Sequence, residues 1–140
     1  MPTRKAEAQW NGNLREGNGR VKFGGFDGAY SFASRFENGK GTNPEELLGA
    51  AHAACFSMAL SAGLAKAGHT PKRVHTTASV TIDKIGEGFE ITGIALDCDA
   101  DAPGIDDAAF QQQATAAKEN CPVSKALKGT KITLKARLSA

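Results

Sequence analysis

Residues 43–68 read NPEELLGAAHAACFSMALSAGLAKAG, and the way this stretch folds decides the rest of the chain. No side chain between Glu46 and Lys66 carries a formal charge, and about half of the intervening residues are Ala or Gly. Side chains this small let other backbones approach closely, and a helix that is apolar all round belongs inside a protein. Its start is signalled by Thr42 or Asn43 as a cap, Pro44 in the first turn, and Glu45 and Glu46 at the positive end of the helix dipole. Lys66, Gly68 and Pro71 signal its end. The stretch therefore reads as one long buried helix.

Leu47 to Ala65 is nearly long enough to cross a bilayer. Ala, Gly, Ser and His insert far less favourably than Leu or Ile, and strand patterns flank both ends, so the membrane reading is set aside. A chain of 140 residues suits a single domain spanning 1–140, which buries roughly two-thirds of its unfolded surface. One domain of that size has trouble surrounding such a helix, which points to a partner subunit.

Working outward toward the N-terminus, Lys5 to Trp10 alternates polar and apolar side chains, and NGNLREGNG supplies a turn that folds it back onto Arg20 to Phe23. Gly24, Gly25 and Gly28 then break the chain before Ala29 to Phe36. Read as a strand, that segment sets Tyr30, Phe32 and Phe36 on one face and Arg35 on the other. Toward the C-terminus, Val74 to Ile85 is an amphipathic strand. Phe89 to Cys98 is its partner, with a change of apolar phase that suggests a bulge at Gly93. Asp97 to Gly104 reads as an acidic loop, Asp106 and Asp107 open a helix to about Glu119, and Pro122 to Lys128 forms a further helical turn. Lys131 to Leu138 closes the chain as a strand with Ile132, Leu134, Ala136 and Leu138 inward. The order of elements predicts an α+β fold.

The net charge of +2 is spread without a basic cluster, which argues against nucleic acid. The opening MPTRKAEAQW lacks an apolar core and a cleavage site, so a cytoplasmic location is expected. In such a compartment the three cysteines are thiols unless chemistry oxidises them.

Cys121 precedes Pro122, and a helical turn starting there would aim free amides at the sulfur and favour its thiolate; the alternative is a small buried residue ending a helix. Cys55 has the same two readings, core packing or chemistry. His52, three residues earlier on the same helical face, could serve it as a base or a fellow metal ligand, or could pack. His69 and His75 are isolated, so no second ligand pair stands at metal spacing. Cys98, between Asp97 and Asp99, is expected to be the least reactive, because carboxylates disfavour a thiolate.

The segments GTNPEELLGAAHAACFSMAL and KENCPVSKAL, with the approach SRFENGKGTNPEE, closely resemble the OsmC/Ohr family, specifically its OsmC branch. The resemblance covers nearly the whole chain. It implies antiparallel sheets around a long buried central helix, an intertwined homodimer, and a thiol-dependent peroxidase that reduces organic hydroperoxides without haem, flavin, metal or other cofactor. It makes Cys55 the peroxidatic cysteine, Cys121 the resolving cysteine, Arg35 the residue that activates the thiolate, and Glu45 the partner of that arginine. A Cys55 sulfenic acid would condense with Cys121 to a disulfide, and an external dithiol would reset the site. In the Ohr branch that dithiol is a lipoylated protein.

Phe36, Phe56, Met58 and Phe110 are candidates to line an apolar substrate pocket. On a continuous helix Glu45 lies about 15 Å along the axis from Cys55, too far for one arginine of one chain to meet both. Either the helix breaks near Gly49, or a second subunit supplies Glu45; the latter is the expectation. Two other functions stay open: a Cys/His hydrolase using Cys55 and His52, and a ligand-binding dimer with inert thiols.

Overall fold

The computed structural model describes residues 1–139. The chain divides into two compact units, Met1–Leu47 and Leu48–Ala140.

The first unit is an antiparallel meander of β1 (Glu7–Asn11), β2 (Asn18–Phe23) and β3 (Phe26–Tyr30), followed by a short helix, α1 (Phe32–Phe36). Trp10 and Tyr30 flank Gly19 on the middle strand, and their rings meet above it with centroids 5.4 Å apart. A Cβ on Gly19 would sit 2.5 Å from the Tyr30 ring and 2.8 Å from Trp10, so the pair exists because that position is glycine.

The third segment corrects the sequence reading, because Ala29 to Phe36 is not one strand. Ser31 is extended and caps α1, its hydroxyl accepting from the Ser34 amide at 3.1 Å while the Ser34 hydroxyl accepts from the Ser31 amide at 2.8 Å. Phe32 and Phe36, one turn apart, still share a face, with ring centroids 5.1 Å apart. That spacing is compatible with both periods, which is why alternation misled. Arg35 therefore lies on a helix, with its guanidinium 5.2 Å from the Phe36 ring centroid rather than on the far side from it.

The loop after α1 is held by Ser34 Oγ donating to the Thr42 carbonyl at 2.7 Å and Asn43 Nδ2 donating to the Ser34 carbonyl at 3.0 Å. It delivers the chain into α2 (Pro44–Lys66). Asn43 is the cap, its Oδ1 accepting from the Glu46 amide at 2.8 Å. The other end closes as the sequence signalled. The Gly68 amide donates to the Ala65 carbonyl at 3.0 Å, the His69 amide to the Leu64 carbonyl at 2.8 Å, and Gly68 takes φ +92°. The helix is unbroken at Gly49, where a Cβ would stand 3.4 Å from the Ala78 carbonyl oxygen and from Val80, about van der Waals distance.

In the second unit, β4 (Arg73–Ile85) and β5 (Gly88–Asp101) form a long antiparallel hairpin. The register shifts between Thr81 and Ile82, opposite Thr92, beside the Gly93 that the sequence marked. α3 (Asp107–Asn120) and α4 (Pro122–Ala126) then lead to β6 (Lys131–Ser139), which lies parallel to β5, so this sheet is mixed rather than antiparallel throughout. The two helices make this possible, since a parallel return needs a crossover.

Asp97 to Asp101 continue β5 instead of forming a loop. Ile94, Leu96, Cys98 and Ala100 point inward, and the intervening carboxylates are matched by basic residues on neighbouring strands: Asp97 with Arg137 at 2.6 Å and Asp99 with Arg73 at 3.1 Å. Cys98 is consequently a fully buried core residue, not one on a polar strand end.

The core of this unit joins Phe56, Leu60 and Leu64 of α2 to the inward side of β5 and to Phe110, Ala114 and Ala117 of α3. α2 is not buried all round within the protomer. Gly49, His52, Phe56, Leu60 and Leu64 make a buried stripe, while Ala51, Ala54, Met58, Ala62 and Ala65 stay exposed, Met58 at 75%. One sheet and one helical layer cover only one face. By length and composition α2 could also cross a membrane, yet its buried stripe is packed in a protein core.

Candidate active site

Cys55 and Cys121 are far apart in sequence, and the structure brings them close enough for each thiol to act on the other. Cys55 projects from the middle of α2 and is half-buried; Cys121 has no solvent exposure. The position of Cys121 follows from Pro122. A residue before proline is driven to extended ψ, and Cys121 at ψ 125° ends α3 while its amide still donates to the Ala117 carbonyl at 2.9 Å. The same residue caps α4, with Pro122 in the first turn. All three cysteines are free thiols.

The environments of the pair differ. Burial pushes the Cys55 thiol up and its neighbour Cys121 pushes it further, against a smaller opposing effect of the Val123 amide. Burial also acts upward on Cys121, but Cys55, the amide and hydroxyl of Ser124 and the Val123 amide outweigh it and leave this thiol below its ordinary value. Within one protomer the first negative charge of the pair therefore belongs on Cys121. Burial raises Cys98 too, with the Thr76 hydroxyl opposing and the flanking Asp99 and Asp97 adding less.

His52 is fully buried, and its Nε2 lies 2.7 Å from Ser124 Oγ. Nδ1 has no hydrogen-bond partner among the described residues. Neither ring nitrogen is thus engaged with Cys55, although the two side chains share a helical face. Burial alone holds the imidazole below its ordinary pKa. The sequence reading weighed Cys121 and His52 but not Ser124; its signal was the spacing of Cys121, Pro122 and Ser124, which sets a hydroxyl on the third helical position facing the cap.

Arg35 and Glu45 meet in the first unit. Arg35 Nη2 donates to Glu45 Oε1 at 2.7 Å, and Nε reaches Oε1 at 3.1 Å and Oε2 at 3.2 Å. The carboxylate is 8% exposed and the guanidinium 36%. Both belong to the same chain, so Arg35 finds its carboxylate partner within its own protomer. The continuous loop from α1 to the Asn43 cap is what sets them side by side.

Beside Arg35 lies a cavity of about 220 Å³ lined by Trp10, Leu14, Tyr30, Phe32, Phe36 and Pro44, among others. Of the four aromatic or sulfur residues nominated for a pocket, Phe36 lines this one; Phe56 and Phe110 are sealed in the core, and Met58 is on the exposed helix face. Trp10 and Tyr30 were not anticipated, since only cross-strand register reveals that they meet. Among the described residues no three His, Cys, Asp or Glu side chains are grouped to hold a metal ion.

The OsmC-like protein family model matches residues 37–135. Over 140 residues the chain is 49% identical to Peroxiredoxin OsmC of Escherichia coli (strain K12), covering 98% of this chain and 97% of that protein. It is 39% identical over 92 residues to the Organic hydroperoxide resistance protein of Xanthomonas axonopodis pv. citri (strain 306), 65% of this chain and 63% of that one. The crystal structure of an OsmC-like protein from Mycoplasma pneumoniae superposes with a TM-score of 0.78 at 17% identity, covering 99% of both chains, a likeness of fold.

Proposed function

This chain belongs to the OsmC-like protein family, and on that premise we propose that it is a thiol-dependent peroxidase that reduces organic hydroperoxides to alcohols. The observation that carries the reading is the pairing of two free thiols, half-buried Cys55 and buried Cys121, each of which acts on the other.

In this mechanism the Cys55 thiolate attacks the terminal oxygen of the hydroperoxide. The O–O bond breaks, the alkoxide leaves and takes a proton, and Cys55 becomes a sulfenic acid. Cys121 attacks that sulfur, releasing water and forming a Cys55–Cys121 disulfide, which shields Cys55 from further oxidation. An external dithiol, of which a lipoylated protein is one form, returns both residues to thiols by exchange. No cofactor takes part.

Burial works against Cys55, so a cation has to favour its thiolate. Arg35 fills that role, with Glu45 fixing the plane of its guanidinium through the paired contacts. Glu45 and Cys55 stand about 15 Å apart on one unbroken helix. We therefore assign each site to two copies, Arg35 and Glu45 from one protomer acting on Cys55 of its partner in a homodimer. The exposed Ala and Met face of α2 is the natural contact. The aromatic cavity beside Arg35 suits the organic tail of the substrate. A cytoplasmic setting with a reducing thiol pool completes the reading.

The hydrolase alternative needs His52 as the base of Cys55, whereas His52 bonds to Ser124. Consumption of cumene hydroperoxide with dithiothreitol tests the assignment. Cys55→Ser is expected to lose turnover, and Cys121→Ser to become inactivated by overoxidation during sustained turnover with a gentle reductant. Full activity in Cys55→Ser would reject Cys55 as the peroxidatic residue, and a parent protein without turnover would leave the inert-thiol dimer.

A further inference from the structure

One buried titratable group has no part in the mechanism above. His52 is 0% exposed and Ser124 5%, and the 2.7 Å contact between them lies in the core next to the fully buried Cys121. A buried polar pair of this kind carries a desolvation cost that an apolar pair would avoid. Nδ1 of His52, without a hydrogen-bond partner among the described residues, adds to that cost. Packing alone does not account for it.

Ser124 is the hinge between the two residues. Its hydroxyl acts on the Cys121 sulfur and also touches His52 Nε2. We propose that Ser124 and His52 form a proton relay that takes the Cys121 proton during formation of the Cys55–Cys121 disulfide. The proposal rests on the peroxidase reading and extends it to the second chemical step.

The chain of hydrogen bonds has two directions that differ by one proton. With the imidazole neutral and protonated on Nδ1, Cys121 S–H donates to Ser124 Oγ and the Ser124 O–H donates to Nε2. Shifting both protons along leaves a thiolate at Cys121, now accepting from Ser124 O–H, with imidazolium Nε2–H donating to Ser124 Oγ. The thiolate sulfur forms the S–S bond to Cys55, and the S–O bond of the sulfenic acid breaks. The departing hydroxide and the proton held at His52 make one water, so the net reaction is sulfenic acid plus thiol giving disulfide plus water.

The groups facing Cys121 are Cys55 from α2 and, from α4, Ser124 and the Val123 amide; burial alone acts on His52 and keeps it neutral and able to accept. Ser124 acts on the reacting sulfur, and His52 acts through Ser124 as a positioning residue.

The test is a single turnover with one equivalent of cumene hydroperoxide, quenched at intervals and resolved by intact mass into sulfenic acid and disulfide. Ser124→Ala keeps both α4 amides and removes only the hydroxyl. Both Ser124→Ala and His52→Gln are expected to slow disulfide formation relative to Cys55 oxidation by about tenfold to a hundredfold, toward the range of general-base effects. The pH profile of that step should move to the alkaline side, and Ser124→Thr should restore most of the rate.

If His52→Gln does not fold by circular dichroism, the Ser124 pair decides. An unchanged ratio and pH profile in Ser124→Ala, or equal slowing by Ala and Thr, overturns the relay alone. A parent protein that forms no Cys55–Cys121 bond overturns the peroxidase reading and the relay with it.

Discussion

At the scale of single residues, the two thiols are chemically unequal in a way that motif matching does not reveal. Cys121 lies below and Cys55 above the ordinary thiol value, the first through its Cys55 neighbour and the nearby amides and hydroxyl, the second through burial. A peroxidatic Cys55 thus depends on a charge outside its own helix. The sign is direct: with its pKa raised, Cys55 is protonated near neutral pH, and only a cation makes thiolate there. Arg35→Ala is therefore expected to lose most of its hydroperoxide rate at pH 7 and to regain it with rising pH, roughly tenfold per unit below the thiol's pKa. A full rate near pH 7 in stopped-flow assays of that variant would show that Arg35 is not the activator. The candidates Cys55, Cys121, Arg35 and Glu45 were nominated by family resemblance, and the structure sets them in two pairs, Cys55 with Cys121 and Arg35 with Glu45. The partnership of His52 with Ser124 was not, because it joins residues 72 positions apart.

At the scale of elements, ends were easier to read than faces. The Asn43 cap and the Gly68 closure of α2 are local devices, built by side chains within a few residues of each terminus. The boundary between β3 and α1 was missed because Phe32 and Phe36 fit both periods, and the deciding signal was the reciprocal Ser31 and Ser34 cap. β5 ran longer than expected because Asp97 and Asp99 looked like loop residues until Arg137 and Arg73 arrived from neighbouring strands. Solvent screens exposed pairs of this kind, so the inward phase of Cys98 and Ala100 is what extends the strand. Gly19 gives a prediction at this scale. Gly19→Ala places a methyl against Tyr30 and Trp10 and should destabilise the chain by about 1–3 kcal/mol in urea unfolding. If the cavity holds the substrate's tail, the same change should raise KM for cumene hydroperoxide more than for the smaller tert-butyl hydroperoxide; equal KM changes would count against that use of the cavity.

At the scale of the whole molecule, the exposed stripe of α2 is the largest departure from the sequence reading, and it is also where a second copy would complete the helix's burial. Met58→Asp puts a charge in the middle of that stripe. We expect it to shift the protein from twice the 14.6 kDa chain mass to the single mass in sedimentation analysis, with loss of peroxidase activity and an unchanged circular dichroism spectrum. A fully active monomer would refute the two-copy site. The sequence by itself determined the α+β class, the limits of the long helix, the hairpin that follows it and the residue types at the thiol site, since caps, glycines and apolar periods act over one or two turns of chain. Only the tertiary structure decided that β6 returns parallel to β5, that Arg35 sits on a helix beside its own chain's Glu45, that Cys98 is core, and that half of the helix in 43–68 stays uncovered. Each of those depends on which surfaces meet across long stretches of chain, and a periodic apolar pattern says that a face must be buried without saying against what.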